Sequence, residues 1–446
     1  MPDESSRDGL SALAQSVLDG NDRGTFTIPA EGHYDHQVLW DSCFVAIGRR
    51  HLDAARAQEE VLRLFEGQWR NGMLPHILFS TSRGARYWWD RRVWRSSKSS
   101  LAPRGLATSG ISQPPVVAEA VARVGEKLPR AERIAWYQAV YPRLLAYHEW
   151  LYRERDPDKT GLVVQVHPWE TGLDTLPANI VVLRSQPSIR LLGLLRTTQL
   201  DRLVNVFGTG RGSVASAEHS RNTEAIAFYV LLRRLRRDHY AIGEVLANPG
   251  FAIQDLTYNC ILVRANQLLV EIAETIGEMI PVELATSMVR SRQSLETLWD
   301  RDASEYYSRD RTSAVLVRES SVATLMPLYS GSISPERAVV LTKVMEDAYL
   351  STTRYPLPSV PPSSNWFEPK RYWQGPTWLN INWFVIDGLK RYGFNDHAEA
   401  LTNMTIELTK RSGFREYFDP LTGEGAGVDR FSWSAALTLD LLAGTR

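Results

Sequence analysis

Carboxylic acids lie beside aromatic side chains at three turn-rich places in the chain. Asp41 follows Trp40, Asp174 ends the segment HPWETGLD, and Glu416 precedes Tyr417 in FREYFDPLTGEG. An apolar surround raises the pKa of a carboxyl group and keeps it protonated near neutral pH. One protonated and one ionised carboxyl group form the pair that cleaves a glycosidic bond. Helix caps or surface acids are the alternative, but the repeated pairing of acids with aromatics favours this chemistry.

The stretch from Ser363 to Asn382 carries five aromatic rings around two prolines and a glycine. The rings do not follow the period of a helix face, and the prolines and the glycine interrupt any regular element. We therefore predict a rigid loop that enters a helix at Pro376, where proline is tolerated in the first turn. Flat rings stack on sugar C–H faces, and polar side chains between them bind hydroxyl groups. An aromatic core plug is the alternative for any single tryptophan, whereas the whole cluster favours a sugar site.

The composition argues against several other classes of function. The 446 residues include 51 basic and 51 acidic side chains, and this zero net charge argues against a nucleic-acid partner, which needs a basic face. Its two cysteines, Cys43 and Cys260, exclude a disulfide-rich scaffold and a cysteine zinc site, and they fit a reducing cytoplasm. There is no HExxH motif and no complete P-loop, so nothing indicates a metal or a cofactor. No apolar stretch approaches the roughly 18 residues of a membrane span, and the N-terminus has no apolar signal core.

Helical periodicity runs through most of the chain, and clean strands are few. The chain shows no alternating strand–helix pattern, which argues against an α/β fold. The acids and aromatics named above fall in the connections between helices, where functional residues are common. We therefore predict a ring or barrel of helix pairs with its site at one mouth; an open solenoid is the alternative that periodicity leaves open. Helices are expected near 8–19, within HYDHQVLWDSCFVAIGRRHLD, near 53–69, from TSGISQPPVV to about 125, and near 131–154, 221–237, 254–276, 281–298, 319–328, 335–347, 377–392, 395–411 and 431–443.

Six segments, in chain order, resemble glycoside hydrolase family 63. They are YDHQVLWDSCF, QWRNGMLPH, SGISQPP, HPWETGLD, YWQGPTWLNINW and EYFDPLTGEGAGVDRFSW, and they span about residues 30 to 445. They are most similar to the compact bacterial branch of mannosylglycerate and glucosylglycerate hydrolases. The resemblance implies an all-α fold, an (α/α)6 toroid with loop insertions around the active-site mouth, with an inverting mechanism and no cofactor. It also implies one catalytic domain over residues 1–446, with insertions near 77–110 and 155–220.

The resemblance assigns roles to individual residues. Asp174 matches the family's general acid, and Glu416 matches the general base that activates water. Trp40 and Asp41 match the pair that lines the subsite of the glycone, the sugar whose bond is cleaved. Arg221 matches a basic residue that meets the glycerate carboxylate; a solvated arginine at a helix start is the alternative. The other expected substrate contacts are Tyr34 and His76 at the rim, and Gln113, Trp169, Glu170, Tyr372, Trp373, Gln374, Trp378 and Trp433 in the pocket.

Departures from the family pattern leave the substrate open. After Asp174 the family usually continues with an Asn-Ser-Pro-Arg-Trp-like run, whereas this chain reads TLPANIVVL. The usual arginine of the tyrosine–tryptophan loop is Gln374 here, and residues 178–220 match no family segment. An anionic aglycone needs a basic partner, because a buried unpaired carboxylate is costly. The candidates for that partner are Arg221, Arg86, Arg371 and Lys370.

We predict an inverting α-glycoside hydrolase of the cytoplasm that cleaves a small glycoside such as glucosylglycerate or mannosylglycerate. A broader α-glucosidase or trehalase-like hydrolase is one alternative. A non-catalytic sugar-binding protein and a helical scaffold for protein partners are the others. The expected partner is a small-molecule glycoside, with no nucleic acid and no membrane. No heptad or interface stripe decides between a monomer and a homo-oligomer.

Overall fold

The computed structural model of the chain describes residues 7–80, 93–186 and 222–444. In these residues, helices carry nearly all of the regular structure, and each strand is two residues long. None of the described helices is both long and apolar enough to cross a membrane. The helices are α1 (Arg7–Gly20), α2 (Leu39–Arg49), α3 (Ala54–Glu66), α4 (Val117–Glu126), α5 (Arg130–Arg155), α6 (Pro177–Ser185), α7 (Asn222–Arg237), α8 (Ile242–Ala247), α9 (Leu256–Ile276), α10 (Val282–Ser294), α11 (Met326–Ser330), α12 (Pro335–Val344), α13 (Leu379–Arg391), α14 (Asn395–Ser412) and α15 (Ser432–Gly444).

Six helices form a closed inner ring. In order around the ring they are α2, α4, α9, α11, α13 and α15, and α15 packs back against α2. Every residue of α2 and of α11 is buried. The sequence explains this burial, because α2 reads LWDSCFVAIGR and is apolar on nearly all sides, which is typical of a helix with neighbours all round.

The outer helices alternate with the inner ones along the chain and bury only one face. Helix α3 buries Ala57, Val61, Leu64 and Phe65 at helical spacing, while most of its charged residues face outward. Each outer helix packs behind an inner helix: α1 behind α15, α3 behind α2, α5 behind α4, α10 behind α9 and α14 behind α13. This arrangement is the toroid of helix pairs that the sequence predicts, so the all-α fold class is confirmed and the open solenoid is wrong.

Helices α2 and α15 approach so closely that one position requires glycine. A Cβ atom at Gly48 would lie 2.3 Å from the carbonyl oxygen of Ala436, well inside contact distance. Any side chain at Gly48 would push the two helices apart. This close packing holds the last turn of α2 against α15.

A buried charge network joins α15 to α13 and to the residues that follow α2, toward the mouth of the ring where α2 ends. The Asp440 carboxylate of α15 accepts hydrogen bonds from Arg50, His51 and Trp383, each at 2.8 Å. Burial opposes ionisation of Asp440, but the His51 hydrogen bond and the charges of Arg50 and Arg123 outweigh it and lower the pKa to about 2. The network therefore favours folding while Asp440 is ionised.

Short antiparallel strand pairs brace the loops at the opposite mouth of the ring. Strands β1 (Gln37–Val38) and β2 (Ile77–Leu78) pair just before α2, with Val38 opposite Ile77. The other strands are β3 (Ile253–Gln254), β4 (Trp299–Asp300), β5 (Glu305–Tyr306), β6 (Arg309–Asp310), β7 (Tyr417–Phe418) and β8 (Gly425–Ala426), which pair as β3 with β6, β4 with β5 and β7 with β8. Residues 81–92 and 187–221 belong to the predicted insertions and lie outside the described residues.

Candidate active site

A cavity of about 270 Å³ lies where the loops before the inner helices meet. Its walls include the first turn of α2, the loops that lead into α4 and α13, and the first turn of α15. The volume is slightly below the roughly 300–1,000 Å³ of pockets that hold drug-sized ligands, so it suits a small glycoside. The lining residues are Pro29, Tyr34, Val38, Trp40, Asp41, His76, Ile77, Trp94, Gln113, Trp169, Gly172, Asp174, Tyr372, Trp373, Glu416, Phe431 and Trp433.

Asp174 reaches the cavity from a tight turn between a short 3₁₀ segment and α6. Gly172 in this turn has φ +75°, and a Cβ there would lie 2.6 Å from the Trp40 ring, so only glycine fits without strain. The Asn179 amide donates to Thr171 Oγ1 at 2.9 Å and to the Leu173 carbonyl at 2.8 Å. These bonds fix the backbone on both sides of the glycine, and the acid therefore has a defined position.

The surroundings of Asp174 keep it protonated near neutral pH. Burial raises the pKa of Asp174 to about 7, and the negative charge of Glu416 adds to this rise. Hydrogen bonds from the backbone and from the Tyr372 phenol act in the opposite direction, because they favour the carboxylate. A carboxyl group with a pKa near 7 can hold a proton and release it at neutral pH.

Glu416 lines the same cavity just before β7. The Tyr34 hydroxyl donates to its Oε1 at 3.1 Å, and the Val428 amide donates to its Oε2 at 3.0 Å. Its own backbone N–H donates to the Val428 carbonyl at 2.8 Å. These two donors, one on each oxygen, fix the orientation of the Glu416 carboxyl group.

Asp41 is the third acid in the cavity and lies in the first turn of α2. It is buried, and burial followed by the charge of Glu416 raises its pKa well above the usual range. The Gln113 side chain accepts a hydrogen bond from the Trp40 backbone at 3.3 Å, so it caps the start of the same helix. Asp41 and Gln113 therefore both present polar atoms from fixed positions at one helix terminus.

Aromatic rings form most of the remaining wall. The Trp40 ring lies 5.5 Å from the Trp433 ring and 6.3 Å from the Trp373 ring, measured between centroids. On another side, the rings of Trp94 and Trp169 are 6.0 Å apart. Such walls offer flat faces for the C–H surfaces of a sugar ring.

His76 also lines the cavity, as the sequence predicts. Its backbone amide donates to the Ile111 carbonyl at 2.7 Å, and its carbonyl accepts from the Leu39 amide at 2.9 Å. Burial, with a smaller contribution from His167, lowers the pKa of His76 to about 3. The ring is therefore neutral at physiological pH and adds no positive charge to the cavity.

Glu170, expected from the sequence to line the pocket, is instead buried behind it. Its carboxylate pairs with the Arg155 guanidinium, at 3.0 Å for one of the two bonds, and both side chains are almost fully buried. It also accepts from the backbone amides of Val166 at 2.7 Å and Ser112 at 3.3 Å. A buried carboxylate is stable only when several partners surround it. Through these partners Glu170 links the loop of Asp174 to the loop of Gln113.

Gln374 and Trp378, also expected as pocket residues, do not line the cavity. The Gln374 side chain donates to the Thr175 carbonyl at 2.7 Å, and the Trp378 indole donates to the Tyr372 carbonyl at 3.0 Å. Their polar groups are thus committed to the backbone beside Asp174 and Tyr372. The sequence motif places them near the cavity but does not show in which direction the side chains point.

The basic residues proposed to meet an anionic aglycone do not appear in the described part of the cavity. Arg221 and Arg86 lie outside the described residues. Lys370 pairs with Glu424 at 2.6 Å, and the buried Arg371 pairs with Glu368 at 2.7 Å. No lysine or arginine is among the described residues that line the cavity.

Several lining residues were not predicted from the sequence. Phe431 begins the FSW motif, in which Trp433 was predicted, whereas Trp94 lies outside the segments named in the sequence analysis. Ile77 and Val38 reach the cavity because β1 and β2 pair there, which helical periodicity does not reveal. Over residues 7–80, 93–186 and 222–444, no group of three or more His, Cys, Asp or Glu residues could hold a metal ion.

Comparison with known proteins gives a consistent match. The family model of the mannosylglycerate hydrolase MGH1-like glycoside hydrolase domain matches residues 34–434. The chain is 41% identical over 430 residues to a mannosylglycerate hydrolase of Thermus thermophilus, covering 96% of this chain and 99% of that one. It is 30% identical over 451 residues to a glucosylglycerate hydrolase of Mycolicibacterium hassiacum, covering 97% of each. A crystal structure of a mannosylglycerate hydrolase from Thermus thermophilus, of glycoside hydrolase family 63, in complex with Tris and D-glycerate, matches with a TM-score of 0.87 at 40% identity, covering 98% of this chain and 100% of that one.

Proposed function

The chain belongs to the mannosylglycerate hydrolase MGH1-like glycoside hydrolase family, and we propose that it cleaves a glycerate α-glycoside with inversion at the anomeric carbon. It is a glycoside hydrolase that acts on small glycosides. The observation that supports the mechanism is the presence of two carboxyl groups in the walls of one cavity. They are Asp174, whose pKa burial raises to about 7, and Glu416, which accepts hydrogen bonds from Tyr34 and from the Val428 amide.

Asp174 acts as the general acid in this proposal. Its proton passes to the glycosidic oxygen as the bond between that oxygen and the anomeric carbon breaks, so that the aglycone leaves as an alcohol. A pKa near the working pH favours both the protonated state and the transfer of the proton. Burial and the charge of Glu416 supply that pKa.

Glu416 acts as the general base in this proposal. It takes a proton from a water molecule, whose oxygen forms the new bond to the anomeric carbon on the opposite ring face. The cycle closes when Glu416 gives up that proton and Asp174 takes one from solvent. Tyr34 fixes Glu416 Oε1 and Val428 fixes Oε2, which directs the carboxylate toward one position of the water.

The remaining cavity residues bind and orient the sugar. Asp41 and Gln113 offer polar atoms for hydroxyl groups, and the rings of Trp40 and Trp433 offer faces for the C–H surface. We expect these contacts to hold the ring in a distorted conformation.

The names of the relatives support glycerate as the aglycone. A 41% identical relative is a mannosylglycerate hydrolase, and a 30% identical relative is a glucosylglycerate hydrolase. Both are covered along nearly their whole length, so the likeness includes the parts that form the cavity. We propose the cytoplasm as the site of the reaction, because Cys43 and Cys260 are both buried free thiols.

The test is a panel of α-linked glucosides and mannosides, with and without a carboxylate in the aglycone. We expect the highest kcat/KM on a glycerate glycoside. Asp174→Asn and Glu416→Gln should each lower turnover by about 10²–10⁴-fold while the fold is retained. Glu424→Gln is the matched control. Glu424 is an exposed acid in the turn between β7 and β8, and in the described contacts its side chain pairs only with Lys370. Near-normal turnover of both site variants would refute the proposed acid and base.

A broader α-glucosidase is the second candidate, and one observation favours it. The described lining residues include no lysine or arginine, so no described group in the cavity neutralises a carboxylate. In that case the panel would show equal or higher kcat/KM on neutral aglycones than on glycerate. Tight binding of the glycosides without any hydrolysis would instead indicate a sugar-binding protein.

A further inference from the structure

We propose that the turn from Tyr372 to Trp378 is a clamp that positions Asp174, with Gln374 as its main positioning residue. The inference rests on the proposed function, because it concerns the residue proposed as the general acid. Gln374 and Trp378 do not line the cavity, yet both direct their hydrogen-bond donors at the backbone around the acid. Their position therefore suggests that they act on catalysis without touching the sugar.

Gln374 holds the residue that directly follows the acid. Its Nε2 donates to the Thr175 carbonyl at 2.7 Å, and the Trp373 backbone amide donates to Thr175 Oγ1 at 3.4 Å. The Gln374 side chain is fully buried, and its Oε1 has no partner in the described part of the chain. The bond to Thr175 is therefore the only described hydrogen bond of this amide, and its removal would release the backbone next to Asp174.

Trp378 holds the residue that donates to the acid. Its indole N–H donates to the Tyr372 carbonyl at 3.0 Å, and its ring stacks on Trp373 at 3.8 Å between centroids with an interplanar angle of 8°. Tyr372 has φ +34°, a conformation that a bulky residue adopts only when its surroundings enforce it. The Tyr372 phenol hydrogen bonds to Asp174, so the strained backbone is maintained where it presents this donor.

The clamp predicts a defect that depends on the leaving group. An alkoxide such as that of glycerate needs a proton from Asp174 as it departs, whereas fluoride leaves as F⁻ without one. In both reactions water attacks the anomeric carbon, and Glu416 takes its proton. A displaced acid should therefore slow the hydrolysis of the glycerate glycoside and leave that of the glycosyl fluoride nearly unchanged. A displacement of about 1 Å can lower a rate on the order of 10²-fold.

The experiment compares Gln374→Met with the wild type on two substrates. One is the preferred glycerate α-glycoside, and the other is α-glucosyl or α-mannosyl fluoride with the same sugar. Methionine keeps the approximate shape of glutamine and lacks the amide donor. We expect kcat on the glycerate glycoside to fall about 10- to 100-fold with KM changed little. On the fluoride we expect kcat within about threefold of the wild type, because no proton transfer to the leaving group is required.

Gln254→Met is the matched control. Gln254 is also buried, and its Nε2 donates to the Leu162 carbonyl at 3.2 Å and to Thr160, away from the cavity. A general loss of packing would lower kcat on both substrates by the same factor. We expect Gln254→Met to show this equal change, if it changes kcat at all. Trp378→Phe, which keeps a ring and loses the donor to Tyr372, provides a second test should Gln374→Met fold poorly.

The outcomes separate the clamp from the proposed function. If folded Gln374→Met or Trp378→Phe loses activity equally on both substrates, the clamp is refuted. If Asp174→Asn itself shows no greater loss on the glycerate glycoside than on the fluoride, Asp174 is not the acid and the proposed function fails. Selective loss in all three variants supports both proposals.

Discussion

Replacing Tyr372 by phenylalanine should move the alkaline limb of the pH–rate profile to higher pH. Burial raises the pKa of Asp174 to about 7, and the Tyr372 phenol, together with a backbone hydrogen bond, limits this rise because it donates to the carboxylate. Phenylalanine keeps the ring and removes the donor. The charged form of Asp174 then becomes less favourable, so its pKa must rise.

The size of the shift follows from the strength of the bond. A hydrogen bond to a charged group contributes roughly 1.5–3 kcal/mol, and about 1.36 kcal/mol corresponds to one pKa unit. Because the cavity also admits water, which partly replaces the lost donor, we expect the low end of this range. The pKa of Asp174 should therefore rise by about one unit, and activity in the variant should persist to a pH about one unit higher.

The assay is kcat/KM for the glycerate glycoside between about pH 5 and pH 10, which reports the ionisation of the free enzyme. Tyr329→Phe is the control, because its phenol donates to the Glu119 carboxylate at 2.9 Å in the inner helix ring and does not line the cavity. We expect this control to keep the alkaline limb of the wild type. If the alkaline limb of Tyr372→Phe falls at the same pH as that of the wild type, or at a lower pH, Asp174 is not the group that must be protonated.

Three further substitutions test buried contacts of the fold, two of them beside the cavity. Glu170→Gln leaves the buried Arg155 charge without its ionic partner and should cost about 3–5 kcal/mol in the free energy of unfolding, measured with denaturant; a loss below about 1 kcal/mol would contradict this. Asp440→Asn should cost about 2 kcal/mol at pH 7, because the pKa of Asp440 is about 2 in the folded chain and 3.8 otherwise. This difference should persist above about pH 4 and vanish as the pH falls to about 2, so a gap that is independent of pH would be inconsistent with it. Gly172→Ala should destabilise the fold by about 1–3 kcal/mol in the same assay, since it adds a Cβ at a positive φ against Trp40; unchanged stability would show that the turn relaxes freely.

The fold was largely predictable because its signals are local and repeated. Long apolar periods gave most of the helices to within a few residues, and α9 and α13 differ from their predicted ranges by at most two positions. The prediction of one helix at 281–298 was less accurate, because α10 ends at Ser294 and a 3₁₀ turn follows. Hydrogen bonding, and not composition, decides where such a helix tightens at its end.

Most of the predicted site residues share one cavity because the motifs lie just before inner helices. Trp40 and Trp433 are in the first turns of α2 and α15, and the closed ring brings these first turns together. The resemblance of the motifs therefore predicted where these residues lie in the ring of helices. The roles of the individual residues in the reaction stay predictions until the variants are measured.

Side-chain direction was the part that the sequence did not contain. Glu170 is in the same motif as Asp174, but its partner Arg155 belongs to the end of another helix. Gln374 follows Trp373 directly, yet one side chain lines the cavity and the other bonds to Thr175. Such differences depend on tertiary contacts, which no local pattern reports.

The most direct test of the central claim is the configuration of the sugar first released. Proton NMR during early turnover of an α-linked glycerate glycoside should show the β-anomer before mutarotation mixes the two. That result follows if Glu416 activates water on the ring face opposite the aglycone that Asp174 protonates. Initial release of the α-anomer would mean retention through a covalent intermediate and would contradict the roles given to both acids.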